Sequence, residues 1–169
     1  MKKLLIFLVI STLIVTAYGL YGDEVSTLKE KIIDIQNKGE LGFKDFTFCS
    51  KILGFASYVP LVESNIDREG SLLIYYEPAN VYTNRRNGLY EIWYKQDLAL
   101  LDQDGKTIWE QKDILTFHYT TTKPVLDLYA QNTLDIEGQL PEGSYQVRVV
   151  LKDQLKGKTA VKILDIVLK

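Results

Sequence analysis

The chain has 169 residues, 46% of them apolar, with a formal charge of −2, one cysteine and one histidine. That size and apolar content suit a single domain with its own core, and so mild an acidic balance gives no reason to expect nucleic acid and argues for no general attraction to anionic lipid. A lone cysteine excludes an internal disulfide, and with a lone histidine it excludes a zinc centre, so packing must hold the fold.

The chain opens MKKLLIFLVISTLIVTAYGLYGDEV. Lys2 and Lys3 form a positive start, Leu4 to Ala17 carry no charge, and Ala17-Tyr18-Gly19 sets small residues where a signal peptidase reads them. Residues 1–19 therefore read as an export signal, and the mature protein is expected in the periplasm or outside the cell. The rival is an uncleaved anchor, because the uncharged run continues to Tyr21 and reaches the ~20 residues a span requires. Contact with the membrane is expected only in that case. Cys49 lies too far from the apolar run to be a lipoprotein cysteine.

Residues 20–42 read as an extension with a short helix over about 27–37. Thr27 and Glu30 fit a capping box, and Leu28, Ile32 and Ile35 fall at i, i+4 and i+7, with Gly39 as the stop. The segment KIIDIQ would also serve as a strand. From 43 to 169 the pattern is that of one all-β domain. FKDFTFCSKILGF puts Phe46, Phe48 and Ile52 on one face, and SLLIYYE ends at Pro78. In LYEIWYKQDLALLD, Tyr90, Ile92, Tyr94, Leu98 and Leu100 share a face that Gln96 interrupts. Asp104-Gly105 is a hairpin signal, and either plausible loop length leaves Trp109 on the Leu98/Leu100 face, hence in the core. Trp93 falls on the opposite face. ILTFHYTT, VLDLYAQNTLDIE, SYQVRVVLKD and TAVKILDIVL complete about eight strands, with no helical pattern between them to demand parallel crossovers.

The closing run LPEGSYQVRVVLKDQLKGKTAVKILDIVL, through Pro141, Gly143, Tyr145, Asp153, Gly157 and Lys158, resembles the last two strands of bacterial immunoglobulin-like and fibronectin-III-like modules. The resemblance implies an antiparallel immunoglobulin-like β-sandwich of about 7–8 strands with a short N-terminal helix. It also implies that the Tyr145 hydroxyl turns back onto upstream backbone. FTFCSKILGFASYVP, EGSLLIYYEPANV and LPEGSYQVRV are together similar to a group of exported bacterial proteins of unassigned function.

Chemistry is sparse. His118 lies on a strand face between Thr116 and Thr120 and reads as a half-exposed surface histidine, and no nucleophile-elbow or phosphate-cradling sequence occurs. DQDGKT places Lys106 where a calcium loop starting at Asp102 would need an oxygen ligand. No metal or cofactor is expected, and the chain is expected not to be an enzyme. The expected function is that of a binding or accessory module of the cell envelope, contacting a protein or surface glycan. Its residues would be Tyr82, Arg85, Arg86 and Trp93 of NVYTNRRNGLYEIWY, joined by outward Tyr75 and Arg148, types that dominate binding hot spots. A blander reading has Trp93 covered by the helix through Leu28, Ile32 and Ile35. The rival functions are a hydrolase with a carboxylate pair and an inhibitor of secreted proteases. Cys49 reads as a buried, reduced strand thiol, with an intermolecular disulfide as the alternative.

Overall fold

The structure, a computed structural model, describes residues 24–61, 65–66, 70–136 and 138–169. The expected export signal, residues 1–19, lies outside the described residues. Residues 24–38 are helical (α1). The strands follow as β1 (Gly42–Gly54), β2 (Ser57–Pro60), β3 (Asn65–Ile66), β4 (Ser71–Ala79), β5 (Thr83–Arg86), β6 (Leu89–Asp102), β7 (Thr107–Thr121), β8 (Ala130–Asp135), β9 (Gly143–Asp153) and β10 (Thr159–Leu168).

They form two sheets. One has the order β2-β1-β4-β8; the other runs β3-β10-β9-β6-β5, with β7 on the free side of β6. Along one edge β6 pairs first with β5 and then with β9, and along the other with β7. All pairings are antiparallel except the short parallel match of β3 with β10. The expectation of an all-β, antiparallel architecture with one short helix therefore holds.

Alternation explains the sheets. In β9, Tyr145, Val147, Val149 and Leu151 are buried while the residues between them are not. These side chains meet Phe48, Ile74 and Tyr76 of the facing sheet in one apolar cluster, so the two inner faces share a single core. The Tyr145 hydroxyl donates to Pro141 O at 2.9 Å and pins the chain as it enters β9.

Gln96 interrupts the inner face of β6 and is fully buried. The Tyr76 hydroxyl donates to its Oε1 at 2.6 Å, and its Nε2 donates to Asn132 Oδ1 at 3.0 Å. A polar chain thus crosses the core between the sheets. Asp153, also buried, accepts from the backbone N–H groups of Tyr82 (2.7 Å), Leu155 (2.9 Å) and Lys156 (2.9 Å). Three donors satisfy a carboxylate that would otherwise be costly to bury, and they tie the β9–β10 turn to the β4–β5 loop.

Several expectations need correction. Thr27 does not start the helix, which is already formed at Glu24. Leu28, Ile32 and Ile35 do not face the protein: they are 51%, 41% and 69% exposed, and Ile33 is the helix residue that is buried. The two strands expected on either side of residue 113 are one long β7. Its register against β6 shifts where Lys112, Asp113 and Ile114 stand opposite the single residue Asp97, and again between Trp109 and Thr107 near the hairpin. Trp109 pairs with Leu100 on the expected face but is 37% exposed, so it is not core. β8 is six residues long against fifteen for β7, too short to cover that stretch.

Gly39 ends α1, its N–H donating to Ile35 O and Gln36 O. A Cβ there would meet the Asn80 side chain at 2.5 Å, so close approach explains the glycine.

Candidate functional site

The residues expected at 80–94 are placed by α1 and the β9–β10 turn. Arg85, on the short strand β5, reaches α1 and donates to Glu30 Oε2 at 2.6 Å and Asp34 Oδ1 at 2.5 Å. Tyr90 also donates to Glu30, and Asn37 brackets Thr83 by donating to its carbonyl and accepting from its N–H. The Tyr90 hydroxyl and the Arg85 guanidinium hold the Glu30 carboxyl below its usual range. Tyr82 is half-buried beneath Lys156, whose ammonium lies 4.4 Å from the ring centre. Arg86 is exposed at the β5–β6 turn.

Trp93 does lie on the outer face of β6, half-buried, but Leu28, Ile32 and Ile35, the side chains expected to cover it, are exposed. Its ring stacks on His118 of β7 at 4.5 Å with planes 16° apart, and His118 Nε2 contacts Glu91 Oε1 at 2.9 Å. Further along this face Lys152 binds Asp97 and Asp113, Lys95 binds Asp113, and Arg148 contacts Glu110 Oε1 at 3.2 Å. The charges here are largely spent on one another. Arg148 and Trp93 share the face.

Tyr75 does not. It belongs to the other sheet and is fully buried, although it points outward from β4. Tyr58 stacks on it at 4.1 Å and Tyr129 at 5.9 Å, while its hydroxyl donates to Glu77 Oε1 at 2.7 Å and accepts from Ala56 N at 2.9 Å. This second small core also buries Cys49, whose thiol is pushed up by desolvation. The reading of Cys49 as a buried strand thiol holds.

A concavity lies elsewhere, between the edges of β7 and β8 where the two sheets part. It is a cleft of ≈ 440 Å³. Leu100, Leu134 and Ile136 continue the core into it, and Ile108, Trp109, Ile114 and Leu140 supply its apolar walls. Gln111, Thr133, Asp135 and Gln139 set polar groups among them. Its volume falls within the range of small-ligand sites. Both flanking strands are paired on one side only among the described residues, so backbone donors and acceptors line the opening. Sequence reasoning holds one clue to this site, the phase of Trp109. It misses the site because strand lengths, not phase, decide what is covered.

A smaller hollow of ≈ 230 Å³ brings Glu77 and Asp127 together with Lys44 and Gln36. Both oxygens of Glu77 are engaged there, Oε1 by Tyr75 and Oε2 by Lys44 at 3.5 Å. No group of three or more His, Cys, Asp or Glu converges in metal-binding fashion among the described residues. No described helix is long and apolar enough to cross a membrane. No protein-family model and no curated protein matches the chain.

Proposed function

We propose that the protein is an exported, non-enzymatic binding module of the cell envelope, built as an immunoglobulin-like sandwich, that grips an extended segment of a partner protein in the β7/β8 cleft. The cleft carries this reading: an aliphatic trough with one tryptophan, walled by two half-paired strand edges. An extended segment would pair its backbone with an edge and drop alternate apolar side chains into the trough. A surface glycan, the other partner chemistry for such a module, would ask for more polar groups than Gln111, Thr133, Asp135 and Gln139 present.

The immunoglobulin-like assignment draws support from strand order. The order β1-β4-β8 opposite β10-β9-β6-β7 follows A-B-E opposite G-F-C-C′, and Tyr145 makes the bond of a tyrosine corner at the start of the F-like strand. Relocating the site from 80–94 to the cleft follows from the contacts that already occupy Tyr82, Arg85 and Tyr90.

The test is selection from a displayed random-peptide library beside a glycan array, each read with the native chain and two variants. Peptides with apolar residues at alternate positions should be retained, and Trp109→Ala should lower their affinity at least tenfold while the melting temperature stays within a few degrees. Retention that survives Trp109→Ala but vanishes in Trp93→Ala would return the site to the outer face of β6. A second reading, a hydrolase using Glu77 and Asp127, rests on the ≈ 230 Å³ hollow and predicts a turnover that Glu77→Gln abolishes.

A further inference from the structure

Beyond the cleft, α1 carries a feature that packing does not explain. Val25, Leu28, Ile32 and Ile35, at i, i+3, i+7 and i+10, form one stripe along the helix, and each is at least 41% exposed. The body of the protein is engaged by a different face, through Ile33, Glu30, Asp34, Gln36 and Asn37. A helix that docks by its polar side and turns its aliphatic side outward inverts the usual arrangement for a globular domain.

The charges follow the same inversion. Glu30 and Asp34 are turned inward to Arg85, which leaves Lys29, Lys31 and Lys38 against Glu24 to set the charge around the stripe. The chain is acidic as a whole, whereas α1 is neutral, with three lysines against Glu24, Glu30 and Asp34, and the two inward-turned acids leave the lysines in the majority around the stripe. Before Asp23, which precedes α1, the sequence is uncharged from Leu4 to Gly22, with Tyr18 and Tyr21 near its end. Tyrosines are favoured at the headgroup level of a bilayer, and lysines beside an aliphatic stripe are the composition of a helix lying in a membrane interface.

We propose that α1 lies flat on an anionic lipid bilayer, burying Val25, Leu28, Ile32 and Ile35 among the acyl chains, while its inner face holds the sandwich close to the surface. Acting as the expected export signal, the apolar run before it would bring this helix to a membrane, whether or not a peptidase later removes it.

The full chain is reconstituted with vesicles of phosphatidylethanolamine and phosphatidylglycerol after an environment-sensitive fluorophore is attached at Ile35→Cys, Leu28→Cys or, as a control, Leu53→Cys. Leu53 is 65% exposed on β1, and buried Cys49 leaves little background labelling, which the unsubstituted chain measures. The expected result is a blue shift and quenching by spin-labelled lipid at positions 28 and 35 but not at 53. With Ile32→Glu and Ile35→Glu added, the label at 28 should return to its aqueous emission while the melting curve is unchanged, because neither side chain is in the core. Labels at 28 and 35 that stay aqueous with vesicles would overturn the proposal. So would a shift that appears without lipid and grows with protein concentration, which would mark a contact between copies.

Discussion

Tyr75 shows how a single side chain can be misjudged from its neighbours. In SLLIYYE it alternates with core-facing Ile74 and Tyr76, so it must point out of the sandwich, and it does. What covers it comes from far away in sequence: Tyr58 from β2 and Tyr129 from the stretch before β8. Alternation gives the direction of a side chain and cannot give what lies above it. The hydroxyl is the polar centre of this outer cluster, serving Glu77 and the Ala56 N–H together. Tyr75→Phe should leave Glu77 Oε1 and the Ala56 N–H without this partner and cost about 1–3 kcal/mol, seen as a lower urea midpoint at unchanged slope. A midpoint equal to that of the native chain would mean that water replaces the hydroxyl. Cys49, buried on the same side, should react with thiol reagents only on unfolding.

At the scale of elements, α1 is the least predictable piece and the most conditionally attached. Leu28, Ile32 and Ile35 give a sound amphipathic pattern, yet sequence alone cannot tell whether the apolar stripe meets a core or leaves the molecule. The answer depends on Arg85 and Tyr90, more than fifty residues away, which claim the opposite face through Glu30. That docking is electrostatic and therefore pH-dependent. The folded Glu30 carboxyl titrates below its usual range, so its contribution is complete above the ordinary carboxylate pKa of about 4.3 and is lost as pH falls through the depressed value. Arg85 is held above its already high range, so mild base changes nothing. Hydrogen-exchange protection factors at residues 24–38, taken against the intrinsic rate at each pH, should fall as pH drops below about 4 while those of β9 stay high. Uniform protection of both segments below that pH would show that Ile33 alone holds the helix.

Across the whole molecule, the sheet architecture is largely legible and the interfaces are not. The alternation of β9, the Asp104-Gly105 hairpin and the Tyr145 corner can each be read locally, because each is decided by residues close in sequence. The meeting of Gln96 with Asn132 cannot, since it joins β6 to β8 across the core. Gln96→Leu should strand the Tyr76 hydroxyl and the Asn132 amide and cost roughly 2–4 kcal/mol in chemical denaturation. Adding Tyr76→Phe and Asn132→Leu should recover much of that loss, because the orphaned groups go with them. Additive losses would show that the three act independently. The cleft was hidden for a related reason: it exists because a long strand faces a short one, a relation between elements that no single segment encodes.

The irregularity in β7 has its own consequence. A long strand with one side open to solvent invites an identical chain to lie alongside it, and repetition of that step makes a fibre. Where Lys112, Asp113 and Ile114 crowd opposite Asp97, Asp113 adopts φ 52 and the straight ladder is lost. Zippering of one molecule onto the next must stop at that kink. Neighbouring copies are thus denied a continuous track along this edge.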